Sequence, residues 1–305
     1  MKKLSIELIS MLLAATLLVA SALAIIIPTA IRAGSTGDTS SDGTEINPDT
    51  SPDENNPDEI LPEIPETEDP PSDTTDDPEE SPEDDVPVIE PVRHATYARA
   101  KVNGLNLRTG PGSNYTSLGY INAGDMVVLL SKEGDWYRTQ YKNKTAYISA
   151  SSSYTETFEI ELSDNSVIEK VIEEGLQLLG YPYVYGAIRY HDGTGKKLSN
   201  FDPTKYDCSS LMQYIFYHGA NVNLNMTTRT QVKQGIYVPR SDLKRGDLIF
   251  FTNSSRYNNT GIERIGHVAL YLGENYILHT ASDYAVIEEI STQRWNYYIE
   301  TRRLV

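Results

Sequence analysis

The sequence predicts an α+β domain, in which helices are followed by antiparallel strands, preceded by a small all-β barrel. Residues 94–154 contain about five short β-rich segments separated by turn residues, which is typical of a barrel. Residues 160–305 place helical periodicity first and strand-like segments afterwards, which is typical of an α+β fold. An acidic, proline-rich stretch separates both regions from an apolar N-terminal segment.

The N-terminal segment, residues 1–33, has the pattern of an export signal or a transmembrane anchor. Lys2 and Lys3 precede an apolar run from Leu8 to Ile31, and positive charge ahead of such a run places the following chain outside the cytoplasm. The run is long enough to span a bilayer, whereas the core of a cleavable signal is about 7–15 residues long. Because Ala22-Leu23-Ala24 has the form of a cleavage motif, a cleaved signal is the alternative to the retained anchor that we expect.

The acidic stretch, residues 34–92, holds 21 Asp or Glu, no Lys or Arg, and 11 of the 16 prolines. This composition cannot bury enough apolar surface to offset the conformational entropy of folding. We therefore predict a disordered, extended linker. The formal net charge of −17 belongs mainly to this linker, and the rest of the chain carries a small positive excess. So small an excess does not indicate a nucleic-acid partner.

The predicted barrel occupies residues 93–155. Leu105 to Arg108 alternates apolar and polar residues before a Thr-Gly-Pro-Gly break, and further β-rich segments follow at 126–130, 135–139 and 145–149. The motif at 105–112, together with Trp136 and the segment 144–148, resembles a bacterial SH3 domain. This resemblance implies contact with the peptides of a cell wall.

The second domain, residues 160–305, begins with two predicted helices. Ser166 and Glu169 have capping-box spacing, apolar residues follow at helical intervals, and Gly180 ends the first helix. The second helix begins at Cys208. Five strands are then predicted, at 247–251, 266–272, 276–280, 286–290 and 299–304.

Cys208 is the single cysteine of the chain, within Asp207-Cys208-Ser209-Ser210. An unpaired cysteine in an exported protein is either incidental or a reactive nucleophile. Because the first turn of a helix favours a thiolate through the dipole and the free backbone N–H groups, we expect a nucleophile. The sequence therefore predicts a cysteine hydrolase that acts outside the cytoplasm.

Two histidines are candidates for the base and for the residue that orients it. A hairpin centred on Gly273 would place His267 directly opposite His279, with Cβ atoms about 4.5–5.5 Å apart. A slip of one residue in the strand register would separate them. With Cys208 they would form a nucleophile, a base and an orienting group. The same three side chains could alternatively hold a zinc ion, although a thiol at a helix start needs no metal for activation.

These residues lie in motifs that resemble the NlpC/P60 family of papain-like cell-wall cysteine peptidases, over about residues 166–304. The motifs are Tyr183-Val184-Tyr185-Gly186, Asp207-Cys208-Ser209-Ser210, Arg245-Gly246-Asp247-Leu248, and His267-Val268-Ala269-Leu270 with His279 beyond. The resemblance implies that Cys208 is the nucleophile, His267 the general base and His279 its orienting residue. It further implies that Tyr183 helps to stabilise the oxyanion and that Asp207 and Ser209 contact the peptide being cut. No cofactor or metal is implied.

The sequence departs from the family pattern in two long segments, 187–205 and 252–265, which we expect to border the cleft. The resemblance implies hydrolysis of peptidoglycan stem peptides, commonly at the bond between γ-D-glutamate and the following diamino acid. Two alternatives remain open. One is a wall-peptide-binding protein without activity, and the other is a thiol amidase or acyltransferase on the same fold.

Overall fold

The computed structural model describes residues 92–281 and 283–305 of the chain. The predicted signal or anchor at 1–33, and the predicted linker except for its last residue, lie outside the described residues. The helices are α1 (Ser166–Gln177), α2 (Cys208–Ala220), α3 (Thr228–Gln231) and α4 (Thr292–Asn296). Among the helices of the described ranges, none combines the length and the apolarity needed to cross a bilayer.

The described strands fall into a first group of eight and a second group of six. The first group is β1 (His94–Ala100), β2 (Leu105–Arg108), β3 (Ser117–Ile121), β4 (Met126–Val128), β5 (Ser131–Glu133), β6 (Trp136–Tyr141), β7 (Lys144–Ser149) and β8 (Thr155–Glu161). The second group is β9 (Ile236–Val238), β10 (Leu248–Phe251), β11 (His267–Gly273), β12 (Tyr276–Ala281), β13 (Tyr284–Glu289) and β14 (Tyr298–Arg303).

A nine-stranded antiparallel sheet runs through both predicted domains, in the order β8-β1-β4-β13-β12-β11-β10-β14-β9. A separate five-stranded sheet has the order β3-β2-β7-β6-β5. The predicted small barrel is therefore not a separate unit, since β1, β4 and β8 join the larger sheet. Met126 of β4 pairs with Ile287 of β13, so β4 does not leave an unpaired edge in solvent.

Side-chain and backbone contacts reinforce this strand pairing between the two halves. The hydroxyl of Tyr284 donates to Asp125 Oδ2 at 3.0 Å and accepts from Asn122 Nδ2 at 3.0 Å. Close to the end of α1, the backbone N–H of Lys142 donates to the carbonyl of Leu179 at 2.8 Å. The first eight strands and the second domain thus share one packed unit.

The first helix begins at the predicted residue but is capped differently. The N-cap is Asn165, whose side chain accepts from the backbone N–H of Val167 at 3.0 Å, so the capping box predicted from Ser166 is wrong. Glu169 instead pairs with Arg245 at 2.8 Å, because the Arg245 side chain is only 7% exposed and needs a charged partner. Both α1 and α2 pack buried apolar residues into the main core.

Candidate active site

The start of α2 is fixed by a reciprocal cap, which sets the position of Cys208. Asp207 is the N-cap, and its Oδ1 accepts from the backbone N–H of Ser210 at 2.8 Å. Ser210 Oγ accepts in turn from the backbone N–H of Asp207 at 2.8 Å. This capping box makes Cys208 the first residue of the helix, as the sequence predicts.

Cys208 and His267 line one cavity of about 470 Å³. Its other lining residues are Tyr183, Thr252, Asn253, Ser254, Gly266, Ala281, Ser291, Gln293, Arg294 and Tyr297. A larger cavity of about 600 Å³ lies between residues 160–165 and the β10–β11 region, but it contains neither a cysteine nor a histidine. We therefore assign the candidate active site to the smaller cavity, which holds the predicted nucleophile and the predicted base.

The hairpin that carries the two histidines has a different register from the predicted one. Leu270 pairs with Leu278 and Tyr271 with Ile277, which shifts the register by two residues. The shift arises because Glu274 and Asn275 form the turn, with φ angles of 49° and 67°, and because the ladder is irregular before Gly273. The prediction that the two histidines are directly opposed is therefore wrong.

The predicted contact between the histidines is nevertheless confirmed. His267 Nε2 lies 2.9 Å from His279 Nδ1, and the ring planes are inclined by 79°. A register shift of an even number of residues keeps both side chains on the same face of the sheet. Diagonal neighbours on one face remain within reach of aromatic side chains, so the pair meets across the strands.

The thiol and both imidazoles are neutral in the resting protein. Burial, with the adjacent Asp207 carboxylate, raises the pKa of Cys208 to about 12. Backbone N–H groups of Val268 and Ser209 lower that pKa but do not compensate, so the predicted thiolate stabilisation is outweighed. Burial also lowers the pKa of His267 well below its usual value, and it lowers that of His279.

Glu288 is a member of the site that sequence reasoning missed. Its Oε1 lies 3.0 Å from His279 Nε2 and 2.6 Å from Arg294 Nη2. Burial alone would raise the pKa of Glu288, but the contacts with His279 and Arg294 outweigh it and lower the pKa to about 2. The sequence offered only a charged residue within an apolar strand, and its partners depend on long-range packing.

The three other predicted site residues differ in whether they line the cavity of Cys208. They are Tyr183, Asp207 and Ser209. Tyr183 lines the cavity, as its predicted oxyanion role requires. Asp207 and Ser209 are 4% and 3% exposed and do not line the cavity. Arg189 contacts both, with 2.9 Å to Asp207 Oδ2 and 2.7 Å to Ser209 Oγ. Contact of these two residues with substrate stays a prediction, and in the structure both bind the protein itself.

The two long segments reach the site from different sides. Thr252 and the two residues after it line the cavity, so the segment 252–265 borders the cleft as predicted. The segment 187–205 reaches the nucleophile through Arg189, whose Nε also donates to the carbonyl of Met226 at 2.6 Å. Within residues 92–281 and 283–305, no group of three His, Cys, Asp or Glu side chains is arranged to hold a metal ion.

Three buried histidines make stability depend on pH. His191, His267 and His279 are 0%, 8% and 1% exposed, and burial lowers the pKa of each imidazole. Unfolded histidines bind protons near pH ~6.5, so below this pH the unfolded state holds more protons and stability falls. We expect a loss of at most about 1.4 kcal/mol per pH unit for each histidine, measured by urea unfolding at about pH 7.5 and about pH 5.5.

A matched pair of variants tests whether a buried histidine causes this pH dependence of stability. His191 Nδ1 accepts from the backbone N–H of Gly193 at 3.0 Å, so His191→Asn can retain this bond while removing the titration. This variant should reduce the pH dependence by the share that His191 contributes, because His267 and His279 still titrate, whereas the same change at the exposed His94 should leave it unaltered. Equal stability of the wild type at both pH values would contradict the prediction.

A helix-borne cysteine beside a histidine pair is the arrangement of a thiol hydrolase site. Residues 180–303 match the model of the NlpC/P60 family, and residues 103–156 match that of the bacterial SH3 domain. The chain therefore carries an NlpC/P60 domain preceded by a bacterial SH3 domain.

Comparison with individual proteins gives relatives that match part of this chain. The peptidoglycan DL-endopeptidase CwlO of Bacillus licheniformis is 31% identical over 136 residues, 44% of this chain and 27% of the relative. The γ-D-glutamyl-L-lysine dipeptidyl-peptidase of Bacillus subtilis is 33% identical over 112 residues, 37% of this chain and 31% of the relative. A solved NlpC/P60 family structure from Bacillus cereus covers 68% of this chain and 63% of its own, at 20% identity and a TM-score of 0.36. The chain thus spans about a third or less of these two curated relatives.

Proposed function

We propose that this protein is a cysteine endopeptidase that hydrolyses peptidoglycan stem peptides outside the cytoplasm. The observation that carries the proposal is that Cys208 and His267 line one cavity and that His267 is hydrogen-bonded to His279. The name of the Bacillus licheniformis relative supports peptidoglycan as the substrate class, and the name of the Bacillus subtilis relative supports a γ-D-glutamyl linkage to a diamino acid.

The neutral resting pair requires that proton transfer accompany attack. As the Cys208 sulfur bonds to the scissile carbonyl carbon, the thiol proton moves to His267. The C–N bond then breaks, and His267 gives this proton to the leaving amine. Water next adds to the thioester, passes a proton to His267, and releases the acid as the C–S bond breaks and the thiol is restored.

Negative charge develops on the carbonyl oxygen when the tetrahedral intermediate forms. Cys208 is the first residue of α2, where backbone N–H groups have no partner within the helix, and Tyr183 lines the same cavity. Burial raises the pKa of Tyr183, with the neighbouring Cys208 as a further cause. A protonated phenol can donate a hydrogen bond to the developing oxyanion, which is the role we assign to it.

The bond we propose for cleavage joins γ-D-glutamate to the diamino acid of the stem. The bacterial SH3 domain would hold the wall peptide, and the N-terminal segment would anchor the chain to the membrane or direct its secretion. A spacer of the predicted composition could carry the enzyme beyond about 50 Å from the membrane. This arrangement would let a tethered enzyme act within the wall.

Product masses from purified peptidoglycan fragments test the proposal. We expect the described part of the chain, residues 92–305, to cut at the γ-D-glutamyl bond, and the Cys208→Ala variant to leave the fragments intact. Release of whole stems from glycan would instead identify an amidase, and an acylated product an acyltransferase. Binding of folded, reduced protein without cleavage, on fragments with either diamino acid, would identify a binding protein.

A further inference from the structure

We propose that Glu288, held by Arg294, is a positioning residue that fixes the tautomers of both histidines, so that the unprotonated nitrogen of His267 is the one free for Cys208. The proposal rests on the proposed function, since it assigns a role within the same site. It adds a carboxylate to the histidine pair that the sequence motifs contain.

Glu288 is placed by three elements. On β13 it pairs with Ile277 of β12, so it lies diagonally across the strands from His279. Its Oε1 is 3.0 Å from His279 Nε2, off the axis of the N–H bond, so the contact is mainly electrostatic. Arg294, in the middle of α4, approaches the same oxygen at 2.6 Å. The carboxylate is therefore held between a buried imidazole and a guanidinium.

An ionised carboxylate has no proton to donate, and its negative charge favours an N–H group over a lone pair on the nitrogen that faces it. This preference propagates through the histidines. It favours the proton of His279 on Nε2, which leaves Nδ1 as an acceptor. His279 Nδ1 lies 2.9 Å from His267 Nε2, so His267 must carry its proton on Nε2. The Nδ1 lone pair of His267 is then free to take the thiol proton.

Without the carboxylate, the opposite tautomers satisfy the His267–His279 contact equally well. In that state Nδ1 of His279 would donate to Nε2 of His267, and Nδ1 of His267 would be protonated and unable to act as a base. The 1% exposure of His279 excludes bulk water as the agent that sets its tautomer. Glu288 is the charged group in contact with its outer nitrogen among the described residues.

The other charged groups around Glu288 act at longer range. Asp125, in the turn before β4, is a buried carboxylate, and burial raises its pKa, with the charge of Glu288 as a smaller cause. Arg294 offsets this repulsion at direct contact. Glu288 lines two cavities. The titratable and charged groups of the first are Asp125, His279, Asp283, Tyr284 and Arg294, and those of the second are Arg99, Lys101, Asp125, Glu156, Tyr276 and Glu289. Glu288 itself does not line the cavity of Cys208, so it has no direct contact with substrate bound there.

The test is Glu288→Gln, with Glu289→Gln as the matched control on the exposed neighbour. We expect kcat for stem-peptide cleavage to fall about 10- to 100-fold in Glu288→Gln, with KM unchanged. The acid limb of the kcat/KM profile should move to lower pH, because Glu288 raises the pKa of His279. Glu288→Asp should keep the wild-type acid limb, and Glu289→Gln should match the wild type throughout.

A second measurement is independent of turnover. Nitrogen chemical shifts of the imidazoles should show His267 and His279 protonated on Nε2 in the wild type, and mixed tautomers in a folded Glu288→Gln protein. Wild-type shifts and kinetics in that variant, with an active wild type, would overturn the inference. If the wild type cuts no stem peptide, the proposed function fails, and the nitrogen shifts still decide the role of Glu288.

Discussion

Replacing Cys208 by alanine is expected to lower kcat for stem-peptide cleavage by at least about three orders of magnitude. The variant removes the atom that forms the thioester, and the cavity offers no second thiol because the chain has a single cysteine. Cys208→Ser should be almost as inactive, since a serine hydroxyl is harder to deprotonate and a buried neutral histidine is a weak base. Initial rates on a defined stem peptide measure both losses.

The fold should tolerate both substitutions at Cys208. The side chain is 8% exposed and small, so its truncation removes little buried surface. Unfolding midpoints close to that of the wild type would show that the lost activity reflects chemistry. A Cys208→Ala protein that retains a tenth of the wild-type rate would exclude this thiol as the nucleophile.

Replacing Asp207 by alanine is expected to cost about 3–5 kcal/mol in the free energy of unfolding. Asp207 is the buried partner of Arg189, whose side chain is only 13% exposed, at 2.9 Å. The variant leaves a buried guanidinium without a counter-charge and also removes the N-cap of α2. Denaturant unfolding with activity measured in parallel should show lower stability and a lower rate, because the same cap positions Cys208.

Two further variants separate the ion pair from other effects. The double variant Asp207→Ala/Arg189→Met should recover much of the lost stability, because the unpaired charge is removed as well. Asp202→Ala is the matched control, because Asp202 pairs at 3.0 Å with Lys205 in the same segment but is 39% exposed. If Asp202→Ala lowers the free energy of unfolding as much as Asp207→Ala does, the buried ion pair contributes no more to stability than the exposed one.

Features of the site that depend on neighbouring residues could be predicted from the sequence. The start of α2 follows from Asp207 and Ser210, which satisfy backbone groups within one turn. The contact between His267 and His279 was predicted although the register was wrong, because the two-residue shift preserved the face of each side chain.

Features that depend on distant packing were missed. Glu288 acquires its role only when β13 pairs with β12 and α4 brings Arg294 to the same oxygen. The pairing of β4 with β13 joins strand edges that are far apart in sequence, and no local pattern specifies the partner of an edge strand. The cap of α1 was misassigned because Asn165, one residue before the predicted cap, supplies the capping side chain.

The high pKa of Cys208 affects how readily its thiol is oxidised. Peroxides and disulfides react with the thiolate form of cysteine, and a thiol with a pKa of about 12 is almost entirely protonated at neutral pH. A nucleophile that becomes reactive only as substrate engages His267 is protected from sulfenic acid formation between turnovers. This resistance to oxidation is useful to an enzyme that, as proposed, acts outside the cytoplasm, where cytoplasmic reductants cannot restore an oxidised thiol.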